Sequence, residues 1–302
     1  MQRSESKPLF EKIALIGAVL IGSSIAHGIK NQNLAEKVSI TAQSQDTLNT
    51  IIKLGLANEA TLDQKKAVSD CELVIICAPL GSYSKIIQNI GSILEPGTIV
   101  SDVGSVKQSV IDDISPHISK NIHLIPAHPV AGTEHSGPNA GFAELFKDRW
   151  CIITPPSNAE QSALDKVSKF WETLGANIEI MTPDRHDMIM AMTSHLPHLI
   201  AYTIVGTASD LEKSLANEVI KFSAGGFRDF TRIAASDPTM WRDIFLNNRE
   251  AVLEMLQRFS EDITALQRSI RWGEGDKLFD LFSRTRKARR AVIDAKQEKM
   301  YN

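Results

Sequence analysis

The chain has 302 residues, 43% of them apolar, 23% charged and 6% aromatic, with 17 Gly, 12 Pro, 3 Cys and a formal charge of −3. No Gly, Pro or charge excess of the kind that marks collagen-like, low-complexity or disordered chains is present, and the slight acidity offers no basic face to nucleic acid. The length predicts about two domains, each able to bury its own core, and a small-molecule substrate.

Cys71, Cys77 and Cys151 cannot all pair and form no CxxC motif, which fits a reducing, cytoplasmic setting without structural zinc. In chain order, the first signal is the apolar run Ile13 to Ile29 behind a polar leader, a pattern shared with signal sequences. Glu5 and Glu11 in the leader, and Gly, Ser and His27 within the run, argue against a signal or a membrane span, which needs about 20 apolar residues. The run reads instead as a first strand, Lys12 to Ile16, and a turn into a helix.

Further strands are predicted at Val38 to Thr41, Leu73 to Cys77, Thr98 to Asp102, His123 to Ala127, Trp150 to Thr154 and Asn177 to Met181. Several are continuous apolar runs, as expected for strands buried on both faces of a parallel sheet. Helices fit between them at Leu48 to Leu54, Tyr83 to Ile93 and Asn158 to Leu174. This alternation predicts an α/β doubly wound, mainly parallel sheet domain with ligands at the carboxyl ends of its strands. After Thr182-Pro183-Asp184, where Asp184 is expected to cap a long helix, the pattern is all-α. Pro197 is expected to kink that helix, and Ser223 to Phe227 to interrupt the helices. Asp237-Pro238 reads as a helix start, and the basic run Arg284 to Lys299 as a solvated helix face. The expected domains are 1–183 and 184–302.

Five clusters carry chemistry. Gly17-Ala18-Val19-Leu20-Ile21-Gly22 follows the first strand and opens a helix, the position at which a dinucleotide's pyrophosphate meets backbone amides. Val19 stands where a second glycine is usual, and a positive φ there would cost a valine about 1 to 2 kcal/mol. The second strand ends Thr41-Ala42-Gln43-Ser44, without the acid that grips an NAD ribose, so NAD and NADP both remain open. The other clusters are Cys77-Ala78-Pro79; Asp102-Val103-Gly104-Ser105-Val106-Lys107; His128-Pro129-Val130-Ala131-Gly132-Thr133-Glu134; and Ser194-His195-Leu196-Pro197-His198 with Gly226-Phe227-Arg228-Asp229-Phe230-Thr231-Arg232. A His just past a strand end is suited to general base work, and arginines four apart can clamp carboxylates. His195 and His198 have metal-pair spacing, but no third ligand accompanies them, so no metal is expected. His186 and His198 read as satisfied helix histidines, and Lys107 as a support for the loop after Ser105.

In order, G-x-x-L-I-G-x-S, D-V-x-S-x-K, H-P-x-A-G-T-E, T-P-x-x-H-D, S-H-L-P-H, G-F-x-D-x-T-R and D-P-x-x-W resemble the prephenate/arogenate dehydrogenases of tyrosine biosynthesis, from about residue 13 to 250. The resemblance implies oxidative decarboxylation of a cyclohexadienyl acid with hydride transfer to NAD or NADP, and a homodimer formed by the helical domain. It implies His128 and Ser105 as catalytic residues at the ring hydroxyl. His195 and Arg232 are expected to hold carboxylates, with Arg228, Asp229, Glu134 and Trp241 at the pocket edge and Asp229 possible across a dimer interface. Gly17, Leu20, Ile21, Gly22, Ala78, Pro79 and Asp102 are expected at the cofactor. The length is expected to leave no room for the mutase or regulatory domains fused to some relatives. Two rival readings are a β-hydroxyacid dehydrogenase, which calls for a catalytic Lys that the helix after Asp184 lacks, and a non-catalytic nucleotide sensor.

Overall fold

A computed structural model describes residues 7–133, 135–211, 218 and 221–294. The chain divides into two compact units, Met1–Val252 and Leu253–Asn302. The first opens with β1 Phe10–Ile16, α1 Leu20–Gln32, β2 Ala35–Thr41, α2 Gln45–Leu54, β3 Glu59–Thr61, α3 Gln64–Val68, β4 Leu73–Ile76, α4 Tyr83–Ile90, β5 Ile99–Asp102, α5 Gln108–Ile114 and β6 His123–Leu124. These strands form one parallel sheet in the order β3-β2-β1-β4-β5-β6, the order of dinucleotide-binding folds. Its topological switch point lies between β1 and β4, whose residues Ile13, Ala14, Leu15, Ile16, Val74 and Ile76 are at most 2% exposed. Helices cover both faces because those residues point both ways into core.

The sequence predicts a single strand from His123 to Ala127, and the structure breaks it at Pro126. Ile125 N still donates to Val100 O of the first sheet, whereas Pro126 O accepts from Thr154 N of a second one. Proline offers no N–H to continue a ladder, so the chain changes sheets there. The second sheet has the order β7-β8-β9, from Ala127–Pro129, Trp150–Ile153 and Asn177–Ile180. Its β7 and β8 are antiparallel and its β8 and β9 parallel, so the expected mainly parallel arrangement is divided between a six-stranded parallel sheet and a three-stranded mixed one. The short β3, with no continuous apolar run, escapes sequence reading altogether.

The helix α6 Gln161–Thr173 precedes β9, and after it Thr182, rather than Asp184, is the N-cap of α7 Pro183–Met190. Proline at the first helical position draws the boundary forward. A π turn, Ala191–His195, joins α7 to α8 Leu196–Ser209. This π turn lies just before Pro197, which cannot donate an N–H back to residue 193. The run Pro183–Ser209 is long and apolar enough to cross a membrane. Its buried polar residues His186, Asp187 and His195 are hydrogen-bonded to the rest of this unit. Helices Gly225–Thr231 and Pro238–Asn247 follow, the latter capped by Asp237, which accepts from Met240 N at 2.9 Å.

In the second unit, the helix that starts at Arg249 ends at Arg271, and a turn at Gly273 leads into a helix over Gly275–Asp294. Ile263, Ile270, Phe279 and Phe282 on these two helices, and Trp272 in the turn between them, stand 47 to 72% exposed. The basic run is helical and exposed from Arg284 to Arg290; its residues from 295 onward lie outside the described residues.

Candidate active site

The phosphate turn is built by close approach of backbones. Gly17 has φ +110, and a Cβ there would stand 2.6 Å from Cys77 O at the end of β4; a Cβ on Gly22 would press on Gly17 O. Both positions exclude a side chain, which brings the N-terminus of α1 over the switch point. Val19 is the N-cap, with φ −80 and ψ −165 and no side-chain capping bond. The strain expected for valine therefore does not arise, because the extended backbone suits any L-residue. No acidic residue occupies the first turn of α1, so its amides and the positive helix end suit an anion. Leu20 is 7% exposed, so its side chain packs in the core and only its backbone can serve a cofactor. Ile21, half-buried, has the same position in that turn, while Ala78 is half-buried and Pro79 exposed beyond β4. The arrangement fits a dinucleotide. At the end of β2, Ser44 caps α2 by accepting from Thr47 N, and this strand end selects neither NAD nor NADP by an acid.

Asp102 is placed differently from expectation. Its carboxylate is fully buried and filled by internal donors: Lys107 Nζ at 2.8 and 2.6 Å, Gly104 N at 2.7 Å, Ala127 N at 3.2 Å and Tyr83 Oη at 3.3 Å. Lys107 Nζ spends its third hydrogen on Ala127 O at 2.8 Å. Burial raises the Asp102 carboxyl and lowers the Lys107 ammonium from their ordinary values, and each charge opposes the shift of the other. Both Asp102 carboxylate oxygens are thus engaged by Lys107 and by backbone amides. The pair holds the loop carrying Ser105 on one side and, on the other, the residue just before His128. Ser105 itself is half-buried between Gly104 and Val106.

His128 lies on β7, 9% exposed, with Nδ1 2.8 Å from Nε2 of the fully buried His186. His186 Nδ1 in turn lies 2.8 Å from Asp187 Oδ1. Asp187 also accepts from Lys107 N at 2.7 Å and Gln108 N at 2.9 Å, so it caps α5, whose own N-cap supplies no side-chain bond. These contacts set the protons. A carboxylate accepts, so His186 Nδ1 carries hydrogen; its Nε2 then accepts from His128 Nδ1–H, leaving His128 Nε2 with a lone pair. Burial, then the neighbouring His186, Lys107 and His195, holds His128 well below the usual imidazole range. It is a neutral imidazole at pH 7.

His195 ends the π turn, fully buried. Asn248 Nδ2 donates to Asp187 O at 2.8 Å and approaches His195 Nδ1 at 3.0 Å. The carbonyl partner identifies that atom as the amide nitrogen, so His195 Nδ1 accepts and Nε2 carries the hydrogen. Among the described residues, buried His195 Nε2 and Trp241 Nε1 find no hydrogen-bond partner. A buried unpaired donor points to an absent acceptor. Their rings stand 6.1 Å apart, and His198 stacks on Trp241 at 3.6 Å, with its Nδ1 donating to Ser194 O. Burial lowers His195 to about 4, so it offers a neutral N–H, not a cation.

This neutral burial has a consequence for stability. The His195 value is lower folded than unfolded, so between pH 6.5 and about 4 the unfolded chain binds more protons and stability falls as pH falls. At about 1.4 kcal/mol per pKa unit, His195 alone should contribute a loss of about 3 kcal/mol, and His128 and His186, also lowered, act in the same direction. Urea midpoints at pH 7 and pH 4.5 are expected to differ, with a smaller difference in His195→Gln. An equal drop in that variant would remove His195 as a source.

The expected carboxylate clamp is only partly assembled. Arg232 opens a 3-10 turn after the helix Gly225–Thr231 and is exposed; its charge opposes protonation of His198, which places it on the His198–Trp241 side of the site. Arg228 pairs with Asp229 at 3.2 Å, both more than 70% exposed, so Asp229 is engaged by its neighbour rather than by Arg232. Glu134 lies outside the described residues.

The sequence profile of the prephenate dehydrogenase nucleotide-binding domain matches residues 25–180, and that of the prephenate dehydrogenase dimerization domain matches residues 182–284. The chain belongs to the prephenate dehydrogenase family. Cyclohexadienyl dehydrogenase of Zymomonas mobilis is 39% identical over 94% of this chain and 97% of that protein; prephenate dehydrogenase of Bacillus subtilis is 30% identical over 90% and 73%. Among solved structures, prephenate dehydrogenase from Aquifex aeolicus in complex with hydroxyphenyl propionate and NAD+ superposes with a TM-score of 0.87 at 28% identity, covering 93% of this chain and 98% of that one. This member of the family is therefore an NAD(P)-dependent dehydrogenase with a small-molecule substrate, and the β-hydroxyacid dehydrogenase alternative falls.

Sequence reasoning missed His186, Asp187 and Asn248 as parts of a prephenate dehydrogenase site. The signal for the first two was present in T-P-x-x-H-D, a polar pair one helical turn after a cap, in a helix otherwise rich in Met and Ile. Asn248 had none, because its partners are 53 and 61 residues away.

Proposed function

We propose that this enzyme oxidatively decarboxylates prephenate, arogenate or both in tyrosine biosynthesis, with NAD+ or NADP+ as hydride acceptor, giving 4-hydroxyphenylpyruvate or tyrosine. The observation that carries the reading is the neutral His128, its Nδ1 engaged by His186 and its Nε2 left as an acceptor. His128 Nε2 takes the proton of the ring hydroxyl, the ring carboxylate leaves as carbon dioxide with its bonding electrons passing into the ring, aromatisation drives the step, and the phenolate oxygen so formed takes the proton back. A bound nicotinamide would supply the hydride acceptor for the ring carbon that bears the hydroxyl. His195 Nε2–H and Arg232 hold carboxylate oxygens, the first as a neutral donor and the second as a charge. The protein's contribution is to position the ring, remove one proton and exclude water. The segment 1–183 carries the cofactor, and 184–302 supplies substrate contacts and the subunit contact.

A homodimer in the cytoplasm completes this reading. The large apolar side chains exposed on the second unit are of the kind that a partner surface covers, and a second copy supplies the matching face. Phe279→Glu is expected to shift the protein towards monomer in light scattering across a dilution series; an unchanged mass would place the contact elsewhere. Arg232→Ala is expected to raise the substrate KM by about tenfold or more, the loss of one charge-assisted bond, with little change in cofactor KM. An unchanged substrate KM would remove Arg232 from the clamp.

The deciding experiment is a four-way assay crossing prephenate and arogenate with NAD+ and NADP+, following reduced cofactor. Turnover in at least one combination is expected. Absence in all four, with cofactor binding retained, would support the nucleotide-sensing alternative instead.

A further inference from the structure

We propose that His186 is the resting place of the substrate proton, so that the base is a relay of His128, His186 and Asp187 rather than His128 alone. The inference deepens the reading above and rests on it. The hydroxyl proton forms a bond to His128 Nε2. The hydrogen on His128 Nδ1 moves 2.8 Å to His186 Nε2. His128 ends neutral in its other tautomer, and His186 becomes an imidazolium whose Nδ1–H stays on Asp187 Oδ1. One proton enters and one positive charge appears, so the step balances without a further reactant. His186 is fully buried, and the proton returns by the reverse path through His128 to the phenolate oxygen left when carbon dioxide departs.

The two rings differ in what faces them. Burial is the largest effect on both rings and opposes a cation on each; beyond it, His128 is faced by His186, Lys107 and His195, all of which oppose a cation. Around His186 stand Lys107, which opposes one, and Asp187 and Asp102, which favour one. The Asp187 contact is the decisive difference: a carboxylate oxygen 2.8 Å from Nδ1, itself fixed by the amides of Lys107 and Gln108. Moving the charge from His128 to His186 also takes it away from the ring that is losing hydride, where a cation would resist the electron flow. His186 is on this account a positioning residue that acts through His128.

His186→Gln keeps a carbonyl oxygen able to accept from His128 Nδ1–H but cannot carry the proton. The expected result is a 10- to 100-fold fall in kcat, with substrate and cofactor KM changed less than threefold. The acid limb of kcat/KM should move to lower pH, because the cation must then sit on His128 without a carboxylate. A wild-type kcat and an unmoved acid limb would reduce the bond to orientation alone and overturn the relay. Nitrogen-15 NMR of histidine-labelled wild-type enzyme provides a second measurement that needs no variant. On acidification His186 should gain its second proton before His128 does, and the opposite order would also overturn the relay. The NMR order is readable even if the four-way assay shows no turnover, which separates failure of the relay from failure of the proposed reaction.

Discussion

His128→Asn is expected to lower turnover by about 100-fold or more, the usual loss when a general base is removed, while leaving cofactor affinity within a few fold. The structure makes this variant a clean probe. The asparagine amide can still donate towards His186 Nε2, so the fully buried ring behind it is not left with an unmet acceptor. What disappears is the Nε2 lone pair. Backbone contacts of the neighbouring residues are untouched: Ala127 O still receives Lys107 Nζ, and Val130 N still donates to Trp150 O. Urea unfolding should therefore shift little, and the loss should appear in kcat with the substrate KM nearly constant, as for an interaction made mainly in the transition state. Near-normal turnover would remove His128 from the base role and with it the relay through His186.

Much of this arrangement is legible in sequence. The apolar runs at Ile13–Ile16 and Leu73–Ile76 announce a buried parallel sheet, and the clusters after them announce a ligand at its carboxyl ends. His128, His195 and Trp241 were expected at the site, and the structure buries all three in the same compact unit. The failures share a cause. Asp102 looked like a cofactor residue because it ends a strand, but a lysine five residues on folds back and fills it, a contact that depends on the loop's path rather than on residue type. His186 looked like a bland helix histidine because its partner is 58 residues away. Val19 looked strained because a motif assigns glycine there, whereas the φ that demands glycine falls on Gly17 and not on Val19. Local rules describe elements well; pairings across long separations are decided by packing.

Lys107→Met should be the most destabilising single change outside the apolar core. A surface ion pair contributes about 0 to 1 kcal/mol, but the Lys107 and Asp102 side chains are fully buried, and removing one partner of such a pair costs about 3 to 5 kcal/mol by stranding the other charge. The urea midpoint should fall accordingly, and part of the loss should return in the double variant Lys107→Met/Asp102→Leu, in which no buried charge is left. Recovery should be incomplete, because Gly104 N, Ala127 N and Ala127 O all end on this pair and would lose their partners, at about 1 to 3 kcal/mol for each buried group left unpaired. Those three groups flank Ser105 and His128. The double variant should therefore regain stability without regaining turnover: the pair's charge serves the fold, and its geometry serves the reaction. If the double variant were as active as wild type, the loop would hold its shape without the pair, and the positioning role assigned to Asp102 and Lys107 would fail.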